Sequence, residues 1–360
     1  MSRPIAIVLP TLLMGGAEKA SVNLANALCR QGRPATVVVL SQEGPLAALL
    51  DPEVEVRNLA KSPAVLSVPA LRRYLRAERP DAMFASLNAN TWAVIAEQLD
   101  RKKTSVVAVH HNRIITTDLH DRYSFRSRAW VTAARLTLGR ATALATVSDD
   151  ARDELAQALH WDKSRITVID NPLDLQRLDS AAEQGEPHPW MKQRKCILGV
   201  GGLKSVKHFD LAVRSLTCLP EHSLVIYGEG PERGHLLALA DELGVGDRLA
   251  LPGMTDNPFP SMRLAAVVVS TSLTEAQPVG LMEAIALGAP VVSTDSGSGT
   301  RDLVDGYSTS TIVEADPSSL ALAVVDFGCR IANADEVASK RAKWDSLAVA
   351  REYLRIAGVG

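Results

Sequence analysis

Twelve short apolar runs recur along the chain, each followed by a stretch with helical spacing, and this alternation narrows the fold more than any other feature. In the first half they are "IAIVLP" (5–10), "ATVVVL" (35–40), "VEVRNL" (54–59), "AMFAS" (82–86), "SVVAVHH" (105–111), "ALATVS" (143–148) and "ITVID" (166–170). In the second they are "CILGVGG" (196–202), "SLVIYGEG" (223–230), "RLALPG" (248–253), "AAVVVSTS" (265–272) and "PVVSTDS" (290–296). Most are β-branched and almost continuously apolar, as parallel strands covered on both faces must be. Between them, "GAEKASVNLANALCRQG" carries an apolar helical face of Val22, Leu24, Ala25 and Leu28, with Gly32 as its stop signal. Repeated βαβ units of this kind build a doubly wound sheet.

The alternation breaks at 174–195, a polar stretch with two prolines, and then restarts. We therefore expect two Rossmann-like α/β domains facing a cleft: an acceptor-side domain at 1–175, a linker at 176–195 and a nucleotide-sugar domain at 196–335. A C-terminal helical segment at 336–360 would pack back on the first domain. A length of 360 residues agrees with two domains rather than one core.

Composition removes several function classes. Net charge is −2, which does not suit a protein built to coat nucleic acid. Cys29, Cys196, Cys218 and Cys329 are scattered without a C-x-x-C or Cys/His cluster, so neither a zinc site nor a disulfide framework is indicated, and a reduced cytoplasmic setting is expected. The opening "RPIAIVLP" is far shorter than the roughly 20 residues of a membrane span and has no cleavage pattern. Any membrane contact would be peripheral.

The chemistry concentrates in the second half. Ligands of open α/β sheets bind at the carboxyl ends of strands. At one such end, "TEAQPVGLME" places Glu275 before a candidate helix start at Val279, Gly280 and Leu281, and Glu283 one turn inside it. The first amides of a helix lack internal partners and favour an anion, which Gly280 would let approach closely. Glu283 would then accept hydrogen bonds from vicinal hydroxyls, as on a ribose, and Glu275 would reach hydroxyls beyond the phosphates. That geometry suits a nucleotide sugar; an acid complementing the helix dipole is the plainer alternative. In "GVGGLKSVKHFDLAV", Lys204 stands where a dinucleotide fingerprint needs its third glycine. Lys204 and Lys207 at a helix start oppose its dipole, so either an anion lies between them or both are solvated.

Taken in order, "PTLLMGGAEKASVNLANAL", "VSDDARDEL", "VIDNPLD", "VGGLKSVKHFD", "GEGPER", the E-x7-E run from Glu275 to Glu283 and "ALGAPVVSTDSGSGTRDLV" resemble the retaining family-four glycosyltransferases, which have the GT-B fold. The resemblance spans roughly residues 4–313. It implies that Glu283 binds the nucleotide ribose, that Glu275 faces the transferred sugar, and that Lys207 binds the diphosphate with the backbone of Val279, Gly280 and Leu281. The loop at Gly253–Met254 would lie near the base, and Gly15 and Gly16 would form a loop over the phosphates. His111, at the end of its strand, would point at the donor sugar. The family usually has an arginine where this chain has Gly202, so either Lys204 substitutes or the diphosphate is held with one less charge.

The reaction implied is transfer of a hexose from a nucleoside diphosphate sugar, UDP foremost, to a hydroxyl of a glycan or lipid-linked glycan, with retention and with no metal or cofactor. Bacterial surface polysaccharide synthesis is the setting the resemblance suggests. Basic stretches add a possible anionic acceptor or membrane surface: Arg113, Arg122, Arg126, Arg128, Arg135 and Arg140 with Tyr123, Phe125 and Trp130 interleaved, and Arg72, Arg73, Arg76 and Arg79. A solvated helical face is the alternative for both. A sugar-nucleotide epimerase of the same fold and a non-catalytic nucleotide-sugar-binding protein remain rivals. A nicotinamide oxidoreductase is disfavoured by the incomplete glycine fingerprint.

Overall fold

A computed structural model of the chain describes residues 3–60, 66–100, 104–113, 134–328 and 330–359. It divides into two compact units, one of 1–174 with 343–360 and one of 175–342. Each is built on a single parallel sheet.

The first unit carries β1 (Ile5–Thr11), β2 (Ala35–Gln42), β3 (Glu55–Asn58), β4 (Ala82–Ser86), β5 (Ser105–His110), β6 (Ala143–Thr146) and β7 (Ile166–Val168). They lie in the order β3-β2-β1-β4-β5-β6-β7. β1 pairs with β2 from Ile5↔Ala35 and with β4 from Ile5↔Ala82, so the order reverses across β1 and β4. Ile5, Ile7 and Leu9 point to one face and Ala6 and Val8 to the other, all essentially buried, which is why the strand reads as a continuous apolar run. The Gly16–Arg30 helix covers the first of those faces with Val22, Leu24 and Leu28.

The second unit carries β8 (Lys195–Val200), β9 (His222–Tyr227), β10 (Leu249–Gly253), β11 (Val267–Ser270), β12 (Val291–Thr294) and β13 (Ser310–Val313), in the order β10-β9-β8-β11-β12-β13. Here the order reverses across β8 and β11. Two strand ends with oppositely directed connections leave a crevice beside them, the usual ligand position in such sheets.

Two segments differ from the sequence expectation. The stretch read as a linker, 176–195, contains a helix at Leu175–Gln184 and belongs to the second unit. Its apolar face is narrow: only Leu178 and Ala182 are buried, and Asn257 Nδ2 donates to Ala181 O (2.7 Å). The C-terminal segment, expected from residue 336, changes unit only at 343. The Ala334–Trp344 helix is anchored within the second unit through Arg341, which donates to Asp179 and to Ala286 O (2.9 Å). Asp345 then caps a new helix, Ser346–Ala357, by accepting from the amides of Leu347 and Ala348. That helix packs on the first unit's core: Tyr353 lies 5.4 Å from the Phe84 ring centroid, and Ser105 Oγ donates to Ala357 O (2.7 Å).

Candidate functional site

Three glycine-bearing turns follow β8, β9 and β10 and press their backbones together. A Cβ on Gly228 would lie 1.9 Å from Gly201 O, and one on Gly230 would lie 2.2 Å from Leu203 O. Only glycine fits at such distances. The turns are cross-bonded as well: Gly201 N–H to Tyr227 O (3.0 Å), Leu203 N–H to Glu229 O (2.9 Å) and Gly228 N–H to Gly253 O (2.9 Å). Gly253 has φ +95, a left-handed conformation, and Met254 beyond it is 62% exposed. "GEGPER" is thus the brace that fixes the turn after β8. The Lys204 stem folds over Gly202, with its Cε 3.6 Å from where a Cβ at 202 would sit. The Lys204 stem thus lies in van der Waals contact with the position a side chain at 202 would start from.

The loop after β11 is tied to this turn. Leu273 N–H donates to Val206 O (2.9 Å), and Thr271 Oγ1 donates to Lys207 O (2.8 Å). On its other side Glu275 N–H donates to Ser296 O (2.9 Å), and Thr294 Oγ1 donates to Ser272 O (3.0 Å). Within this frame Lys207 Nζ donates to Glu275 Oε1 at 2.5 Å, with side chains 28% and 20% exposed. The two residues expected to meet different parts of a ligand are brought onto each other.

Glu283 is 5% exposed, in the second turn of the Val279–Ala286 helix. A Cβ on Gly280 would sit 3.9 Å from Val200 O, so the helix start faces the end of β8. Leu281 N–H is turned back onto Pro278 O (3.0 Å). Of the three amides expected to hold phosphate, those of Val279 and Gly280 are the ones with no helical acceptor available. The chemistry of this edge is therefore a cation, a carboxylate and helix-start amides around a floor of glycine, an arrangement fitted to a phosphate bearing hydroxyls.

The first unit places the remaining expected residues. Gly15 and Gly16 lie at the start of the Gly16–Arg30 helix, directly after β1 at the reversal point, with Gly16 exposed. His111 follows β5 but turns inward, 9% exposed, beside a small cavity lined by Ile7, Ser21, Phe84, Ser86, Pro172 and Tyr353. Its Nδ1 lies 3.0 Å from Asn171 Oδ1 and its Nε2 lies 3.2 Å from Ser86 Oγ. An amide oxygen can only accept, so Nδ1 carries the proton and Nε2 accepts from Ser86. Burial lowers the pKa to about 4, with the Asn171 contact opposing, and the ring is neutral. His110, bonded to Asn90 Nδ2 at 2.9 Å, is lowered to about 4 by burial and by His111. The His111 ring, expected to face the donor, has both nitrogens committed within the first unit.

Among the described residues, most arginines of the basic stretches are spent on structure. Arg113 pairs with Glu154 and lies 3.6 Å from Asp150. Arg135 Nε donates to Ala158 O (2.8 Å), and Arg140 donates to Leu136 O. Residues 114–133, with the other arginines and the aromatics, lie outside the described residues. In the second stripe Arg72 donates to Leu99 O (3.0 Å) and Arg76 Nε to buried Asp100 (2.5 Å), closing the end of the Ala89–Asp100 helix. Arg73 and Arg79 are exposed. Sequence reading missed the hydroxyls of Thr271 and Thr294. The signal was present, since "STS" and "STDS" both follow valine runs, where a hydroxyl can bond a neighbouring loop.

Comparison with known proteins agrees with this architecture. Residues 14–177 match Glycosyltransferase Family 4 and residues 194–327 match Glycosyl transferases group 1. Among curated relatives, the chain is 25% identical over 282 residues to N-acetylgalactosamine-N,N'-diacetylbacillosaminyl-diphospho-undecaprenol 4-alpha-N-acetylgalactosaminyltransferase of Campylobacter jejuni, covering 76% of this chain and 75% of that one. It is 26% identical over 324 residues to the lipopolysaccharide core biosynthesis glycosyltransferase LpsE of Rhizobium meliloti, covering 86% and 84%. Among solved structures, Anabaena Alr3699/HepE in complex with UDP-glucose superposes with a TM-score of 0.79 at 18% identity over 99% of each chain. The lipopolysaccharide glycosyltransferase WaaG gives 0.74 at 16% identity, over 99% of this chain and 100% of that one. The chain belongs to the glycosyltransferases of the GT-B fold, a Glycosyltransferase Family 4 domain followed by a Glycosyl transferases group 1 domain.

Proposed function

We propose that this glycosyltransferase moves a hexose from a nucleoside diphosphate sugar, with UDP as the nucleotide, to a hydroxyl of a glycan or lipid-linked glycan, retaining the anomeric configuration. The observation that carries the reading is the Lys207–Glu275 pair held at the end of β8 beside the Val279–Ala286 helix start. Lys207 and the amides of Val279 and Gly280 take the diphosphate, with Lys204 as a second cation over Gly202. Glu283 takes the ribose hydroxyls and Glu275 the sugar hydroxyls. Met254 lies near the base.

As the anomeric carbon–oxygen bond breaks, negative charge develops on the leaving phosphate, so cations aimed there stabilise the transition state more than the ground state. The acceptor hydroxyl forms the new bond on the face the phosphate leaves, and its proton passes to a phosphate oxygen. No divalent ion is required in this reading, because Lys207, Lys204 and the helix amides supply the positive field. His111, neutral and bonded through both ring nitrogens within the first unit, transfers no proton in this reading. The diphospho-undecaprenol acceptor named for the Campylobacter relative and the UDP-glucose held by HepE support the choice of substrates. Exposed Arg73 and Arg79 are the residues through which an anionic membrane surface would be met.

The test is transfer from UDP-, GDP- and ADP-hexoses to lipid-linked glycan acceptors in the presence of EDTA, with the product's anomeric coupling read by proton NMR. Activity with a UDP-hexose and an axial linkage from an axial donor is expected. An inverted product, or transfer only after a divalent ion is restored, would refute the mechanism.

A further inference from the structure

Lys207 and Glu275 start from different turns but from one backbone frame. Leu273 to Val206, Thr271 to Lys207 and Glu275 to Ser296 tie the ends of β8, β11 and β12 together by bonds of 2.8–2.9 Å. The side chains are the adjustable part, and they neutralise each other at 2.5 Å. Glu275 therefore already holds the Lys207 ammonium that an incoming phosphate would approach.

We infer that Glu275 is an internal anion that competes with phosphate for Lys207, so that the site favours the sugar-bearing donor over the spent nucleoside diphosphate. The inference rests on the donor-site reading given above. When a nucleotide sugar enters, its phosphate takes Lys207 and its sugar hydroxyls give the displaced carboxylate new donors. Every broken contact is replaced. When only the nucleoside diphosphate is present, its phosphate still displaces Glu275, but no sugar hydroxyl meets the carboxylate. A carboxylate without its cation then sits beside a phosphate of the same charge, and the two repel. Return of Glu275 to Lys207 expels the product. Glu275 is by this argument a residue that sets specificity for the loaded donor, in addition to touching the sugar.

Calorimetry on the full chain tests this with inorganic pyrophosphate, with UDP, GDP and ADP, and with the corresponding glucose donors. The proteins compared are wild type, Glu275→Gln and the double variant Lys207→Met/Glu275→Gln. Removing one like charge beside the phosphate is expected to tighten binding of pyrophosphate and of the matching nucleoside diphosphate about tenfold. Binding of the glucose donor should not tighten, so its advantage over the spent nucleotide collapses. The double variant should lose the gain, since there is no lysine left to compete for. Equal or weaker binding of the nucleoside diphosphate by Glu275→Gln, with an unchanged melting temperature, would overturn the inference while leaving the donor site standing. Absence of binding of every nucleotide by both wild type and Glu275→Gln would overturn the donor-site reading and the inference together.

Discussion

Gly228→Ala should unseat the donor loop from a distance. The new methyl would lie 1.9 Å from Gly201 O, a backbone atom that cannot rotate away, so the turn after β8 has to shift by roughly 1 Å. Forced overpacking of this kind costs about 1–3 kcal/mol. The shift also strains the Gly201–Tyr227 and Leu203–Glu229 hydrogen bonds, each contributing about 1 kcal/mol. Together the loss is roughly 2–4 kcal/mol, a fall of about 5–15 °C in Tm for a unit of this size. Differential scanning calorimetry reads that fall, and nucleotide titration should show weaker binding, because Lys207 rides on the displaced turn. Gly234→Ala is the internal control: nothing lies within 4 Å of its Cβ in the Arg233–Glu242 helix, and alanine there should stabilise by roughly 0.5–1 kcal/mol. A Gly228→Ala protein that melts like wild type and binds nucleotide equally well would refute the steric argument.

Other outcomes follow from single contacts. Lys207→Met should lower turnover about 10²–10³-fold with little change in Tm, measured by nucleoside diphosphate release. Arg76→Ala strips the buried Asp100 carboxylate of a donor and should destabilise by roughly 1–3 kcal/mol in urea titration, whereas exposed Arg73→Ala should be near neutral. The buried histidines make stability pH-dependent: folded His110 and His111 hold pKa values of about 4, below the ordinary 6.5. Between those values the unfolded chain binds protons that the folded chain refuses. Stability is therefore complete above pH 6.5 and is lost as pH falls toward 4, with roughly 3 kcal/mol at stake for the first ring charged. Tm should drop between pH 6.5 and 5, above the range where most carboxylates titrate; a flat profile there would contradict the burial of these rings.

How much was legible in the sequence depended on whether a feature was local. Each of the twelve strand runs overlaps a strand of the structure, and for the inner strands the reason is that a parallel strand buried on both faces has to be apolar throughout. β13 escaped, since it lies at the sheet edge, is half-buried along its length and begins with Ser310 and Thr311. The Leu175–Gln184 helix looked like a linker because two buried positions, Leu178 and Ala182, suffice to seat it. The unit change at 343 was marked by Asp345 ahead of an apolar helical pattern, a cap signal that went unread.

At the site, the glutamates' placement around a helix start was visible from spacing alone. Their partners were not. Lys207 meets Glu275 across 68 positions, and "GEGPER" shows its purpose only when Gly228 is seen against Gly201. The partners of the charge stripes were hidden for the same reason: Arg72 and Arg76 find their acceptors on another helix, at Leu99 and Asp100, which no local pattern announces.

In the function proposed above, the carboxyl edge of β8 and β11 holds the donor. A crystal structure of the chain with a non-hydrolysable UDP-hexose tests it most directly. The account predicts phosphate oxygens within hydrogen-bond reach of Lys207 Nζ and of the Val279 and Gly280 amides, ribose hydroxyls on Glu283, and Glu275 turned from Lys207 to the sugar. A nucleotide bound elsewhere, or bound here with Glu283 untouched and the Lys207–Glu275 pair intact, would contradict it.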